Sequence, residues 1–306
     1  MAWAEQRWLT EIGALFVALS LAAQAAPAPD TKPEQSPPTK AAAPPDNEIV
    51  VTGEATKVPR DSEVFDQARD VSRVGRYQLY EEALPRFETP LCRGVVGLKP
   101  GAASSIIDRI RANAARLEID LAEGACSPNL VVAFVDDGRS LLNDLQRNQP
   151  RIFRLVSADE RTELLGKKAP VRVWNNIATR WTGAGPPPEP GVRPSVWGQL
   201  NRLYMPESHD IVSALVLFDR TAVLGMTLDQ LADYATMRGL SHTRPASVNE
   251  PMATILSLFE GPGEGPDALT RFDIGYLQSL YRGAPNLSAA HKLLGVQMGA
   301  EHAGKP

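Results

Sequence analysis

The chain has no block of basic residues. Its 32 Lys and Arg stand against 36 Asp and Glu, leaving a formal net charge of -4, which argues against a nucleic-acid partner or an anionic membrane surface. It also lacks an apolar run of the roughly 20 residues that a membrane span needs, since the run at residues 12–23 falls short. No G-x-S-x-G elbow, Walker loop or dinucleotide fingerprint occurs, which removes the usual signatures of serine hydrolases, P-loop proteins and dinucleotide-binding enzymes. The glycines of Gly261-Pro262-Gly263-Glu264-Gly265-Pro266 stand among prolines, which lack the N–H groups of a phosphate cradle, so the stretch reads as a turn. Asp136-Asp137-Gly138 lacks the other liganding positions of a calcium loop and reads as a turn that starts a helix. With 43% hydrophobic but only 6% aromatic residues, a chain of 306 supports one large domain or two small ones, and one is expected.

An export signal is present. Met-Ala-Trp-Ala-Glu-Gln-Arg-Trp leads into the apolar run, which ends in Ala23-Gln24-Ala25 before a proline-rich stretch. Small residues flanking the end of the run place cleavage after Ala25, so residues 1–25 are expected to be a signal peptide and the mature protein periplasmic or secreted. An uncleaved anchor is the alternative, because Glu5 offsets Arg7 in a charge-poor start. No cysteine follows the run, so lipoprotein processing is not indicated. An oxidising compartment lets the two cysteines, Cys92 and Cys126, pair, and a disulfide between them is expected. The rival, a Cys/Cys metal pair, has neither zinc-knuckle spacing nor an intervening histidine.

Residues 26–47 are Ala, Pro, Lys, Thr and Gln with almost no large apolar side chain, the composition of an extended, disordered linker. A β-prone segment and a covering helix are expected over residues 48–90, where Val64, Phe65, Val71, Val74, Tyr77 and Tyr80 are scattered through a charged background. Globular patterning occupies residues 91–285. Ile106, Ile107, Ile110, Ala114 and Leu117 predict a helix over 102–117, and a second carries Leu141, Leu142 and Leu145. Ser157 and Glu160 form a capping-box pattern, as do Thr227 and Gln230 before a helix that runs to Arg238 and stops at Gly239. The run at 130–135 is apolar at every position and that at 211–218 at every position but Ser213, and both predict strands covered on both faces; 171–174 suits a short strand. Residues 182–194 are a proline- and glycine-rich loop. A last helix opens at Thr270 with Ile274, Leu277 and Tyr281 on one face, and residues 286–306 read as a flexible tail holding His291 and His302.

Two resemblances follow from these residues. Asn47-Glu48-Ile49-Val50-Val51-Thr52-Gly53 resembles the TonB box of TonB-dependent outer-membrane receptors, which implies strand addition to a periplasmic partner; the alternative is a strand docking on its own domain. No receptor barrel follows it. In the second half, Gly239-Leu240-Ser241-His242, Thr254-Ile255-Leu256, and Leu269-Thr270-Arg271-Phe272-Asp273-Ile274 with Leu280-Tyr281 resemble, in order and spacing, the metzincin zinc proteases, especially the matrixin-like branch. A set of secreted bacterial proteins shares this similarity. The resemblance implies an α/β (α+β) fold: a zincin-like single domain with a small, mostly buried sheet packed by helices.

In that family, H-E-x-x-H-x-x-G-x-x-H places imidazoles on one zinc and a glutamate on its water. Laid on Gly239 and His242, the ligand positions fall on Ala232 and Thr236, the acid-base position on Asp233, and only His242 survives. Leu256 stands where the family's turn has methionine, while Asp273 matches the aspartate of the closing helix, where capping after Thr270 is its simpler role. Neither Ala nor Thr replaces an imidazole, so the expectation is a protein without catalytic residues, metal or cofactor: a binding or structural module of the cell envelope with a protein or envelope partner. Alternatives are an envelope metallohydrolase drawing on His209, His242 and Asp233, and an accessory to TonB-dependent uptake. Trp174, Trp181, Trp197 and Tyr204 flank the proline-rich loop as either core packing or a binding ledge.

Overall fold

The two apolar runs become the centre of a sheet. β2 (Leu130–Val135) and β4 (Glu207–Asp219) pair in parallel, β1 (Arg93–Val96) adds in parallel beside β2, and β3 (Val171–Trp181) pairs antiparallel with β4, giving the order β1-β2-β4-β3. In chain order the helices are α1 (Asp61–Val71), α2 (Pro100–Arg116), α3 (Gly138–Asn148), α4 (Ala158–Gly166), α5 (Leu228–Leu240), α6 (Arg271–Tyr281), α7 (Ala289–Leu294) and α8 (Val296–His302). The computed structural model describes residues 59–166, 169–182, 203–261 and 265–302. The expected signal peptide, the linker, the TonB-box-like heptapeptide, Trp197 and most of the proline- and glycine-rich loop lie outside the described residues.

Where β2 and β4 pair, the central strands are almost wholly apolar because helices cover both faces of the sheet, as the α/β class requires. Leu130, Val132, Phe134, Val216 and Phe218 join a core with α1, α2, α5, α6 and α7. Val131, Ala133, Leu215 and Leu217 face the other way, onto Leu142 and Leu145 of α3, Phe153, and Leu164 of α4. Each of these large side chains, fully buried, contributes about 1.5–3 kcal/mol. Asp137 accepts from the Ser140 N–H and starts α3, as a turn with a helix start should. Cys92, just before β1, is bonded to Cys126, which ties the start of the sheet to the loop entering β2. Among the described residues no helix is long and apolar enough to cross a membrane.

Several boundaries differ from the sequence reading. β3 runs on to Trp181 because its polar residues find partners. The Asn175 amide donates to the Gly239 carbonyl at 3.1 Å, and that of Asn176 to Ser213 Oγ at 2.9 Å. α5 does not stop at Gly239 but continues to Leu240; a Cβ on Gly239 would lie 2.5 Å from Leu130 Cδ1, so this glycine lets helix and sheet approach rather than turning the chain. In the covering segment Tyr77 and Tyr80 are exposed while Leu79, Leu84 and Phe87 are buried. Arg86 then donates to the carbonyls of Leu280, Tyr281 and Gly283, satisfying the C-terminal end of α6.

The tail is the main correction. Residues 289–302 form α7 and α8, with Ala289, Ala290, Leu293 and Val296 buried, so the core extends past residue 285 just as α1 extends it before residue 91. The contact is built of small residues: a Cβ on Gly299 would stand 2.8 Å from the Gly275 Cα. Alanine and glycine give close backbone packing but no stripe of large apolar residues to be read from sequence.

Candidate functional site

The three motifs of the second half are tied together in space. Asp273, fully buried, caps α6 by accepting from the Thr270 N–H at 2.8 Å, and it also accepts from Thr254 Oγ1 at 2.5 Å and from the Ile255 N–H at 2.8 Å. Burial pushes its carboxyl up to about 6, against the pull of those four donors, counting the Thr270 hydroxyl. The turn Ile255–Ser257, with Leu256 fully buried, thereby hangs from α6. Tyr281 Oη donates to the Leu240 carbonyl at 2.8 Å and closes the link back to α5.

On α5 the positions laid against the zinc motif are given over to packing. Ala232, Asp233 and Thr236 have no exposed surface. Asp233 accepts from Arg109 Nε and Nη2 at 2.8 and 2.7 Å, from Asn113 Nδ2 at 2.7 Å and from the Leu269 N–H at 2.8 Å, which knots α2, α5 and the start of α6. Thr236 Oγ1 donates to the Ala232 carbonyl at 2.8 Å and accepts from Asn113 at 3.1 Å. His242 shares none of these partners. Its Nε2 pairs with Glu160, the capping-box residue of α4.

That pair borders a cleft of about 630 Å³, lined among others by Arg73, Glu82, Glu163, His209 and Arg244. His209 and His242, which nothing in the sequence placed together, line the same cleft, and His209 Nδ1 lies 3.3 Å from Thr179 Oγ1 on β3. Burial by itself would raise the Glu160 carboxyl, but the hydrogen bond and charge of His242, with Ser157 and Arg73 behind them, lower it to about 2. Arg73 lies 3.3 Å from Glu163 and 3.8 Å from Glu160, and its Nε donates to the Thr243 carbonyl. The hydroxyls lining the cleft are engaged: Ser72 donates to the Arg69 carbonyl at 2.7 Å and Ser157 to Glu160 at 2.9 Å. Histidines, carboxylates and arginines thus face the space, with the Ser157 hydroxyl held by Glu160 and the Thr179 hydroxyl beside His209, an arrangement suited to holding a polar ligand.

A smaller cavity of about 100 Å³ shares Arg73, Glu160 and Glu163 with the cleft and is bounded further by residues 171–174, Arg238 and Glu260. Sequence reasoning missed Arg238 and Arg73; the only signal was the four-residue spacing of Tyr234 and Arg238 on one helix. Among the described residues no group of three His, Cys, Asp or Glu side chains converges as a metal ion would need. Of the aromatic residues, Trp174 is buried with its ring 5.5 Å from Phe153, and Tyr204 is exposed. His291 lies on α7 and is not part of the cleft wall. Comparison with family models, curated proteins and solved structures finds no match.

Proposed function

We propose that this chain is an exported protein on a zincin-like scaffold whose metal positions have been turned into core, and that it acts in the cell envelope as a non-catalytic binding module. The observation that carries this reading is Asp233. The residue at the acid-base position is occupied by four hydrogen bonds from Arg109, Asn113 and Leu269, with no surface left to reach a substrate. The zincin-like part is supported by the way Asp273 and Tyr281 join the turn at 254–256 and the closing helix to α5. Export is supported by the signal grammar of residues 1–25 and suits the Cys92–Cys126 disulfide. The binding surface is the cleft beside Glu160 and His242. Metal analysis by mass spectrometry tests the proposal, on mature protein purified from the periplasm without a histidine tag or added metal. Substoichiometric zinc and no peptidase activity are expected, and near-stoichiometric zinc overturns it.

One observation favours a second reading, an envelope metallohydrolase with an atypical site: His209, His242 and Glu160 line one cleft. That reading requires zinc that survives dialysis and disappears in His242→Ala.

A further inference from the structure

The smaller cavity beside the cleft is lined by a cation with no ion pair among the described residues. Arg238 is 4% exposed and lies on the last turn of α5, where it faces the smaller cavity. Its Nη1 donates to the Tyr234 hydroxyl at 2.9 Å, and its guanidinium carbon sits 5.7 Å from the centre of the same ring. Its Nε is buried with no hydrogen-bond partner among the described residues. Of the other charges around the cavity, Glu160 is engaged with His242, Glu163 with Arg73, and Arg172 with Asp219, while Glu260 borders the cavity without an ion pair to Arg238. Tyr234 is neutral at ordinary pH, its hydroxyl pushed up by burial, so it gives Arg238 a dipole and a ring face rather than a charge. Burying a guanidinium in this way is costly, and such groups are normally paired with a carboxylate or another anion.

We propose that this cavity is a carboxylate-binding site, in which Arg238 offers Nε–H and Nη2–H as a fork to a planar monoanion. Tyr234 occupies Nη1 and so orients the guanidinium; a carboxylate that accepts from its Nε–Nη2 edge in bidentate fashion displaces the atoms that now cover Nε. A space of about 100 Å³ admits a carboxylate head and little more. Glu160, Glu163 and Glu260 border it, so a phosphate or other dianion meets about twice the repulsion that a single charge meets. The wide cleft adjoins the cavity, with Arg73, Glu160 and Glu163 standing between the two. The ligand is either a small free carboxylate or the C-terminus of a peptide lying in the cleft. The inference rests on the cleft being the binding surface proposed above, but not on the scaffold or its metal content, so a zinc result leaves it standing.

The test uses full-length mature protein and three probes: acetate, an acetylated tetra-alanine with a free C-terminus, and the same peptide as its amide. The arginine Nε–H resonances are followed by ¹⁵N NMR at constant ionic strength, with chloride as the control anion. Saturable movement of the Arg238 Nε–H with acetate is expected, and dissociation constants at least tenfold weaker in Arg238→Met, as loss of a charge-assisted hydrogen bond implies. Arg238→Lys keeps the charge without the fork and should fall between the two. If the free peptide binds and the amide does not, the proposal holds with a chain terminus as ligand; if acetate alone binds, it holds with a small free carboxylate. If none of the probes moves the Arg238 Nε–H in the wild-type protein, or if Arg238→Met binds them as tightly, it is overturned. The wild-type spectra decide the matter even if the variants do not fold.

Discussion

Replacing Asp233 separates a structural knot from a vestigial catalytic acid. The Asp233 carboxylate has no exposed surface and accepts from Arg109 twice, from Asn113 and from the Leu269 N–H, all within 2.8 Å. In Asp233→Ala, Asn113 keeps Thr236 Oγ1 as an acceptor, and Arg109, whose side chain is 33% exposed, turns to water. The Leu269 N–H is left without its partner, at about 1–3 kcal/mol. Breaking a buried ion pair costs about 3–5 kcal/mol, and discounting Arg109 for its solvent contact brings the expected loss to about 3 kcal/mol. Asp233→Asn retains one oxygen for Leu269 but turns an NH2 group toward Arg109, so about 2 kcal/mol is expected. Urea unfolding at pH 7 and 25 °C measures both, with an unchanged m-value showing that the two states compared are the same. A double-mutant cycle with Arg109→Ala should give a coupling of at least about 1 kcal/mol. An Asp233→Ala protein within about 1 kcal/mol of wild type would refute the reasoning. The carboxylate would then be dispensable to the fold, and a chemical role for it would have to be reopened.

Asp273, held at about 6 by burial, has a folded value above the unfolded one of about 3.9, so the stability it contributes is fully present below about pH 4 and is lost as pH rises through about 6. The span is of order 2–3 kcal/mol, and Asp273→Asn, which keeps one oxygen for the Thr270 and Ile255 N–H groups, should flatten the stability profile between pH 4 and 7. Removing the disulfide in Cys92→Ala/Cys126→Ala opens a loop with a sequence separation of 34 and should cost about 4 kcal/mol on the chain-entropy model, read as a shift of the urea midpoint. Gly275→Ala puts a Cβ 2.6 Å from the Ala300 backbone nitrogen, so α8 must move; faster proteolysis confined to residues beyond Gly295 is expected, and an unchanged cleavage pattern would contradict the packing described.

Periodicity and capping made much of the fold legible. The runs at 130–135 and 211–218 could be read as strands because they are apolar at every residue but Ser213, and α5 and α6 announce themselves through Thr227 with Gln230 and Thr270 with Asp273. What escaped was whatever depends on small or polar side chains finding a distant partner: α7 and α8, the far half of β3, and Gly239 as a packing glycine. The site was less legible than the fold. His242 and Glu160 are 82 residues apart, and only folding brings the chain just past α5 beside the first turn of α4.

The sequence by itself determined the α/β class, the cysteine pairing and the absence of imidazoles at 232 and 236, because alternation, composition and residue identity are local properties. Tertiary structure alone decided that Asp233 belongs to the core, that His209 and His242 share a cleft, and that Arg238 is buried without an ion pair among the described residues. A side chain's charge is written in the chain, whereas its burial and its partners exist only once residues far apart in sequence have packed together.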